Sequence, residues 1–375
     1  MAGIYIHVPF CRTRCIYCDF YSTTRPELKD CYVKALCQEL ESRKDYLEKP
    51  VETIYFGGGT PSLLGPDDFG QIFDTIDRVY GMEHSQEVTL EANPDDLTPE
   101  YLQALSQLPF NRISIGIQTF DEAVLALLKR RHSSSQAIRA VEDARSFGFR
   151  NISVDLIYGL PGETLESWAN DLSQVIALHP EHISAYHLTY EEGTPLYRML
   201  QENRVGEVSE DNSLLFFSEL IRRLSGAGYE QYEISNFCLP GYCSLHNSSY
   251  WKGVCYLGCG PSAHSFNGMS REWNVSSLHL YLKGMEKGER NCKMEWLDST
   301  ARYNDLVVTA LRTIWGLSLT QLEKEFGQAY LNYTLRNARK YLDCGWLVIE
   351  KDHLRLTPEG VFVSDGIMSD LLWVD

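Results

Sequence analysis

Thr53-Ile54-Tyr55-Phe56-Gly57-Gly58-Gly59-Thr60-Pro61 is a β-rich run that stops in a glycine turn, and an amphipathic stretch of about Asp68–Tyr80 follows it. β-Branched and aromatic residues favour a strand, glycines end it, and apolar residues at helical spacing then carry the chain back. The same unit recurs on both sides. Ile4–Val8 precedes Pro26 to about Arg43, and Glu87–Glu91 precedes about Pro99–Leu108, where Thr98 and Pro99 fit an N-cap and first helical residue. Arg112–Gln118 precedes about Asp121–Arg130 and Ser134–Phe147. Ile152–Tyr158 closes in Gly159-Leu160-Pro161-Gly162 before about Leu165–Leu178, and His182–Leu188 leads to about Asn212–Leu224. Repeated strand–helix alternation predicts an α/β fold with a parallel sheet. The runs are nearly continuous and apolar, as expected for a sheet covered by helices. The expected architecture over residues 1–228 is a partial (β/α)6 TIM-like barrel.

Polar residues cluster at the ends of these runs: the glycine turn, Glu91, Gln118, and Thr189-Tyr190-Glu191. In a parallel barrel the carboxyl ends of the strands gather on one face, where such folds build their sites. Asp155 lies inside an apolar run, and a buried carboxylate needs a partner.

After Gly228 the alternation stops. Residues 229–300 are rich in Cys, Tyr, Trp, Gly and Ser and are expected to connect to a last unit. In that unit, residues 301–375, Tyr303–Arg312, a stretch opening at Ser318 and Leu331–Leu342 read as helices, and Leu347–Glu350 with Leu354–Thr357 as a hairpin. This order is winged-helix-like. Its acidic residues outnumber its basic ones, so a structural or docking role is expected over DNA binding. The whole chain sets 34 Lys and Arg against 51 Asp and Glu, a formal charge of −17, which excludes wholesale nucleic-acid binding. No apolar stretch is long enough for a membrane span, and the start shows no signal-peptide pattern. The expected setting is cytoplasmic, with the 11 cysteines reduced.

Cys11-Arg12-Thr13-Arg14-Cys15-Ile16-Tyr17-Cys18 carries the strongest chemical signal. Three thiolates in one short loop can wrap one metal centre. A structural zinc would need a fourth ligand, from His7 or from the looser group Cys238, Cys243, Cys255 and Cys259. An iron–sulfur cluster held by three cysteines leaves one iron open, and this reading is preferred. Cys31, Cys37, Cys292 and Cys344 stand alone and are expected to be small buried hydrophobes.

The C-x3-C-x2-C spacing, with Tyr17 before the last cysteine, resembles the radical S-adenosylmethionine (SAM) superfamily. Tyr5-Ile6-His7-Val8-Pro9-Phe10-Cys11 and Phe56-Gly57-Gly58-Gly59-Thr60-Pro61-Ser62 are similar to one branch of it. That branch holds the oxygen-independent coproporphyrinogen III oxidases and the HemW haem chaperones. The resemblance implies a [4Fe–4S] cluster on Cys11, Cys15 and Cys18, whose open iron binds SAM and whose electron can cleave it. It implies SAM or cluster contacts for Tyr5 and Tyr17, and a glycine motif at Gly58, Gly59 and Thr60 beside the SAM amino group. Glu91, Gln118, Arg130 and Asp155 match polar residues around SAM. The glycines there would let backbone approach a ligand, while Lys129 and Arg131, beside Arg130, read as solvated.

Within the branch, the oxidases continue to a fourth cysteine where this chain has Phe20, and they carry a longer segment before the cluster. Both differences weigh against coproporphyrinogen decarboxylation. His246-Asn247-Ser248-Ser249-Tyr250-Trp251 fits the H-N-x-x-Y-W pattern of the haem-chaperone branch. That match implies haem contacts for His246, Asn247, Tyr250 and Trp251, and imidazole is a common axial ligand. Cys243, Cys255, Cys259 and His264 are alternative ligands. The resemblance thus implies haem transfer to an acceptor protein, such as a respiratory haem protein. It allows a homodimer and a peripheral membrane contact. The second reading is a radical SAM oxidoreductase acting on a tetrapyrrole.

Overall fold

The computed structural model describes residues 1–374. The six expected strands form the centre of one sheet: β1 Ala2–Val8, β2 Val51–Gly58, β3 Glu87–Ala92, β4 Arg112–Gln118, β5 Ile152–Tyr158 and β6 His182–His187, each parallel to the next. Helices connect them and cover one face. On that face Phe56 of β2 meets Phe69 and Phe73 of the helix Pro66–Tyr80 edge to face, at 5.3 and 5.4 Å between centroids.

The two faces of the sheet differ. Ile4, Ile54, Leu90, Ile115, Val154 and Ile183 point to the helices and join the main apolar core. The alternate residues Thr53, Glu87, Thr89, Arg112, Ser114, Ser153, His182 and Ser184 are polar yet buried. The strands are therefore buried on both faces, but only one face is apolar. The period of two is masked in the sequence because Tyr5, Tyr55 and Ile157 also occupy inward positions.

Residues 229–300 contribute strands to both sides of this sheet. β7 Glu230–Glu233 and β8 Asn236–Cys238 extend it beyond β6, with β8 antiparallel to β6. β9 Tyr256–Cys259 lies parallel to β1 on its other side, and β10 His264–Phe266, β11 Ser270–Asn274 and β12 Cys292–Trp296 follow antiparallel. The order is β12-β11-β10-β9-β1-β2-β3-β4-β5-β6-β8-β7, an open sheet.

A second apolar cluster, around Tyr303, Leu322, Ala338, Leu354 and Ile367, holds the C-terminal helices. β14 Leu347–Glu350 and β15 His353–Leu356 form the expected hairpin. A two-residue β13, Leu317–Ser318, pairs with β15 to give the small antiparallel sheet of a winged helix. Most expected helices end within a few residues of their predicted bounds. Thr98 caps its helix as expected, accepting from Tyr101 N. The helix Ser364–Leu371 has no counterpart in the sequence reading. Among the described residues no helix is long and apolar enough to cross a membrane.

Candidate functional site

The inward carboxyl ends of β2 to β6 and the cysteine loop after β1 enclose a cavity of about 560 Å3. Cys11, Cys15, Tyr17, Cys18, Gly58, Gly59, Thr60, Glu91, Gln118, Arg130 and Asp155 all line it, as does Asn247. Apart from Asn247, these residues meet across up to 144 positions of sequence, Cys11 to Asp155, because parallel strands end on one side.

The three thiols are half-buried and unpaired. Thr60 Oγ1 donates to Cys11 Sγ at 3.5 Å, and Arg130 Nη1 donates to Cys15 Sγ at 3.3 Å. Arg130 is not on a helix as expected. That helix stops at Leu127, Lys129 takes a positive φ of 58°, and the turn carries Arg130 inward. Its Nη2 also bonds Asn93 Oδ1 at 2.7 Å. Arg131 is not free in solvent either: it pairs with Asp95 at 2.8 Å and Asp96 at 3.2 Å.

Glu91 accepts from Tyr55 at 2.8 Å and from the Gly58 amide at 3.2 Å. Burial, reinforced by Asp155, pushes its pKa up to about 7. Asp155 finds its partner in Ser114, whose hydroxyl lies 3.2 Å from Oδ1, and burial raises its pKa too. The glycine turn owes its composition to packing on protein. Gly58 has φ +108°, and a Cβ on Gly59 would stand 2.7 Å from the Phe10 carbonyl oxygen. The bare backbone seats the turn against the segment entering the cysteine loop.

Tyr5 does not line the cavity. It sits below, with its hydroxyl 3.2 Å from His7 Nδ1 and its ring against Tyr55 and His246. The H-N-x-x-Y-W residues divide. His246 is fully buried under the cavity, with Nδ1 2.9 Å from Thr53 Oγ1 and Nε2 2.8 Å from the Tyr250 hydroxyl. The ring stacks on Tyr55 at 5.0 Å, and burial lowers its pKa to about 3. This geometry leaves His246 no open nitrogen for iron. Tyr250 reaches a second cavity, and Trp251 packs under the Arg312 guanidinium. Of the alternative ligands, Cys259 is buried in β9, Cys243 lies 3.1 Å from Cys238, and exposed His264 stacks on Trp273. Cys31, Cys292 and Cys344 are exposed rather than buried.

The sequence reading missed Tyr55, Asn93, Arg112 and Tyr186, all on the cavity wall. Arg112 carried a usable signal: like Asp155, it is a lone charge beside an apolar run.

The residues present suit a cluster and SAM. Three thiols border a cavity large enough for a small ligand. On its wall, Arg112 Nε and Nη1 and Arg130 Nε are buried without a hydrogen-bond partner, spare donors matched to a carboxylate. Among the described residues no three His, Cys, Asp or Glu side chains converge on a single metal ion. A cluster binds each cysteine through a different iron, so the three thiols need not share one ion.

A model of the radical SAM superfamily matches residues 5–175, and one of the HemN C-terminal domain matches residues 297–363. A protein named haem chaperone HemW from Mycobacterium tuberculosis is 35% identical over 99% of this chain and 94% of its own length. One of the same name from Lactococcus lactis is 32% identical over 99% and 97%. The chain belongs to the HemW family. A further relative, the mitochondrial radical S-adenosyl methionine domain-containing protein 1 of Mus musculus, is 32% identical over 99% of this chain and 87% of its own. The fold is shared with the coproporphyrinogen III oxidase of Escherichia coli, at a TM-score of 0.86 and 22% identity over 99% of this chain and 90% of that one. In this HemW-family chain the position two beyond Cys18 is Phe20, a 64% exposed ring on the cavity wall.

Proposed function

We propose that this chain binds haem and passes it to an acceptor protein, while its barrel holds a [4Fe–4S] cluster and SAM. The observation that carries the reading is the near-complete similarity, at 32–35% identity, to proteins named haem chaperones. Cys11, Cys15 and Cys18 are the cluster ligands in this proposal, and bound cluster and SAM would supply one-electron chemistry at a sulfonium. The chain's own residues would bind and orient. Arg130 would hold Cys15 Sγ through its Nη1, Glu91, which accepts from the Gly58 amide, would take the SAM amino group, Asp155 and Gln118 would take hydroxyl and polar contacts, and Arg112 would offer donors to a carboxylate. Tyr17 closes the wall beside the cysteines. The acceptor in this reading is a haem-requiring respiratory protein, met in the cytoplasm or at a membrane surface.

A second reading, SAM-dependent oxidation of a tetrapyrrole, is favoured by the full set of charged residues kept around the cavity. One experiment separates the two. With the cluster reconstituted anaerobically, haem is titrated and coproporphyrinogen decarboxylation assayed side by side. Haem uptake without decarboxylation is the expected result. Cys15→Ser should lose the cluster, by iron and sulfide content, and Cys31→Ser should keep it. SAM-dependent decarboxylation without haem uptake would overturn the proposal.

A further inference from the structure

The second cavity, about 400 Å3, opens between the β9–β11 edge of the large sheet and the C-terminal helices. That volume falls within the range of small-molecule sites. Tyr250, Tyr256, Phe266 and Phe326 give it half-buried aromatic walls, and Arg271 and Arg302 stand among them. Tyr250 and Tyr256 meet edge to face at 4.6 Å, and the Arg302 guanidinium lies 5.7 Å from the Phe326 ring. Lys252, Arg271 and Arg302 face only Asp305 and Glu325 here, a positive balance in a chain of net charge −17. Arg271 is paired with Asp305. Among the described residues Arg302 has no carboxylate partner, and its Nε is buried without a hydrogen bond. A buried guanidinium N–H without an acceptor is costly and is relieved by an anionic ligand.

The cavity is also joined to the H-N-x-x-Y-W helix. Glu87 accepts from the amides of Leu245 and His246 at 2.7 and 3.0 Å and from the Ser244 hydroxyl, which fixes the helix start against β3. His246 then holds the Tyr250 hydroxyl at 2.8 Å, and the Tyr250 ring becomes part of the cavity wall. His246 is thereby a positioning residue for that wall.

We infer that this interdomain cleft is the site that takes the tetrapyrrole, its macrocycle against the aromatic walls and a carboxylate on Arg302. The inference rests on the haem-binding reading above and assigns that reading a place away from the SAM cavity. The ligand chemistry is that of a flat aromatic dicarboxylate, which haem and metal-free protoporphyrin share.

The test is a Soret-band titration of the cluster-loaded protein with haem, with protoporphyrin IX and with its dimethyl ester. Two variants act differently: Arg302→Glu reverses the spare charge, and Thr309→Trp fills the cleft from a helix face. Circular dichroism and cluster absorbance check folding. Both variants should raise the haem and porphyrin dissociation constants by about tenfold or more, the scale of one lost charge-assisted hydrogen bond. The dimethyl ester should bind about tenfold more weakly than the diacid. Unchanged affinity in both folded variants would overturn the cleft while leaving haem binding intact. Failure of the unmodified protein to bind haem or porphyrin would overturn both.

Discussion

Glu91 shows how much one residue's setting decides. Its carboxylate is held by Tyr55 and Gly58 and faces Asp155 and Arg112, and burial raises its pKa to about 7. Its proton is therefore held far more tightly than on a free glutamate. In the proposed SAM complex a cationic amino group beside Glu91 would favour the ionised form, so SAM affinity should rise several-fold between about pH 6 and pH 8. Isothermal titration of Glu91→Gln should show weaker binding and no such dependence; a dependence kept in that variant would place the titrating group elsewhere. The folding linkage runs the other way. A carboxyl raised in the fold contributes most below its unfolded pKa, and that contribution is lost as pH rises through about 7. Glu91 and Asp155 were legible because a charge in or at the end of an apolar run has to face something. The buried placement of His246 was not. A His-Asn-x-x-Tyr-Trp string is silent on direction, and Thr53, which takes up one ring nitrogen, is 193 positions away.

Elements were legible where their own composition sufficed. The six central strands and their helices follow from local pattern, with β-branched runs, glycine ends and caps such as Thr98. Strands without such a pattern are different. β8 and β13 pair with β6 and β15, partners distant in sequence, and no local signal marks them. Lys129 likewise ended its helix early through a positive φ that propensity does not forecast. The helix Leu245–Trp251, only two turns long, needs its anchor for the same reason. Glu87 supplies that anchor and is the leading charge beside buried Arg112. Glu87→Ala should therefore cost about 3 kcal/mol or more in urea unfolding, because it leaves three donors of the helix start without their charged acceptor. Glu87→Gln should cost less, because the amide oxygen can still accept from the helix amides. Equal, small losses in both variants would mean that the helix docks without the carboxylate.

Across the whole molecule, Glu39 performs a comparable task over a longer span. It is fully buried in the helix Lys29–Ser42 and accepts from Gly260 N at 2.8 Å, Asn274 Nδ2 at 2.7 Å and the Tyr281 hydroxyl at 2.8 Å. It ties the first helix to the strands added after residue 229. Glu39→Ala should lose about 3–5 kcal/mol by the same measurement, with earlier proteolytic cutting in residues 255–290 than in the central strands. Uniform resistance to protease would show that the added strands hold without it. That attachment has a consequence for synthesis on the ribosome. β1, which delivers the cysteine loop, lies between β2 and β9 and so keeps one open edge until residue 259 has emerged. An open parallel edge is a pairing hazard for a nascent chain. The first strand made is thus among the last to be enclosed, and the platform for the cysteines is finished only when more than two thirds of the chain has been translated.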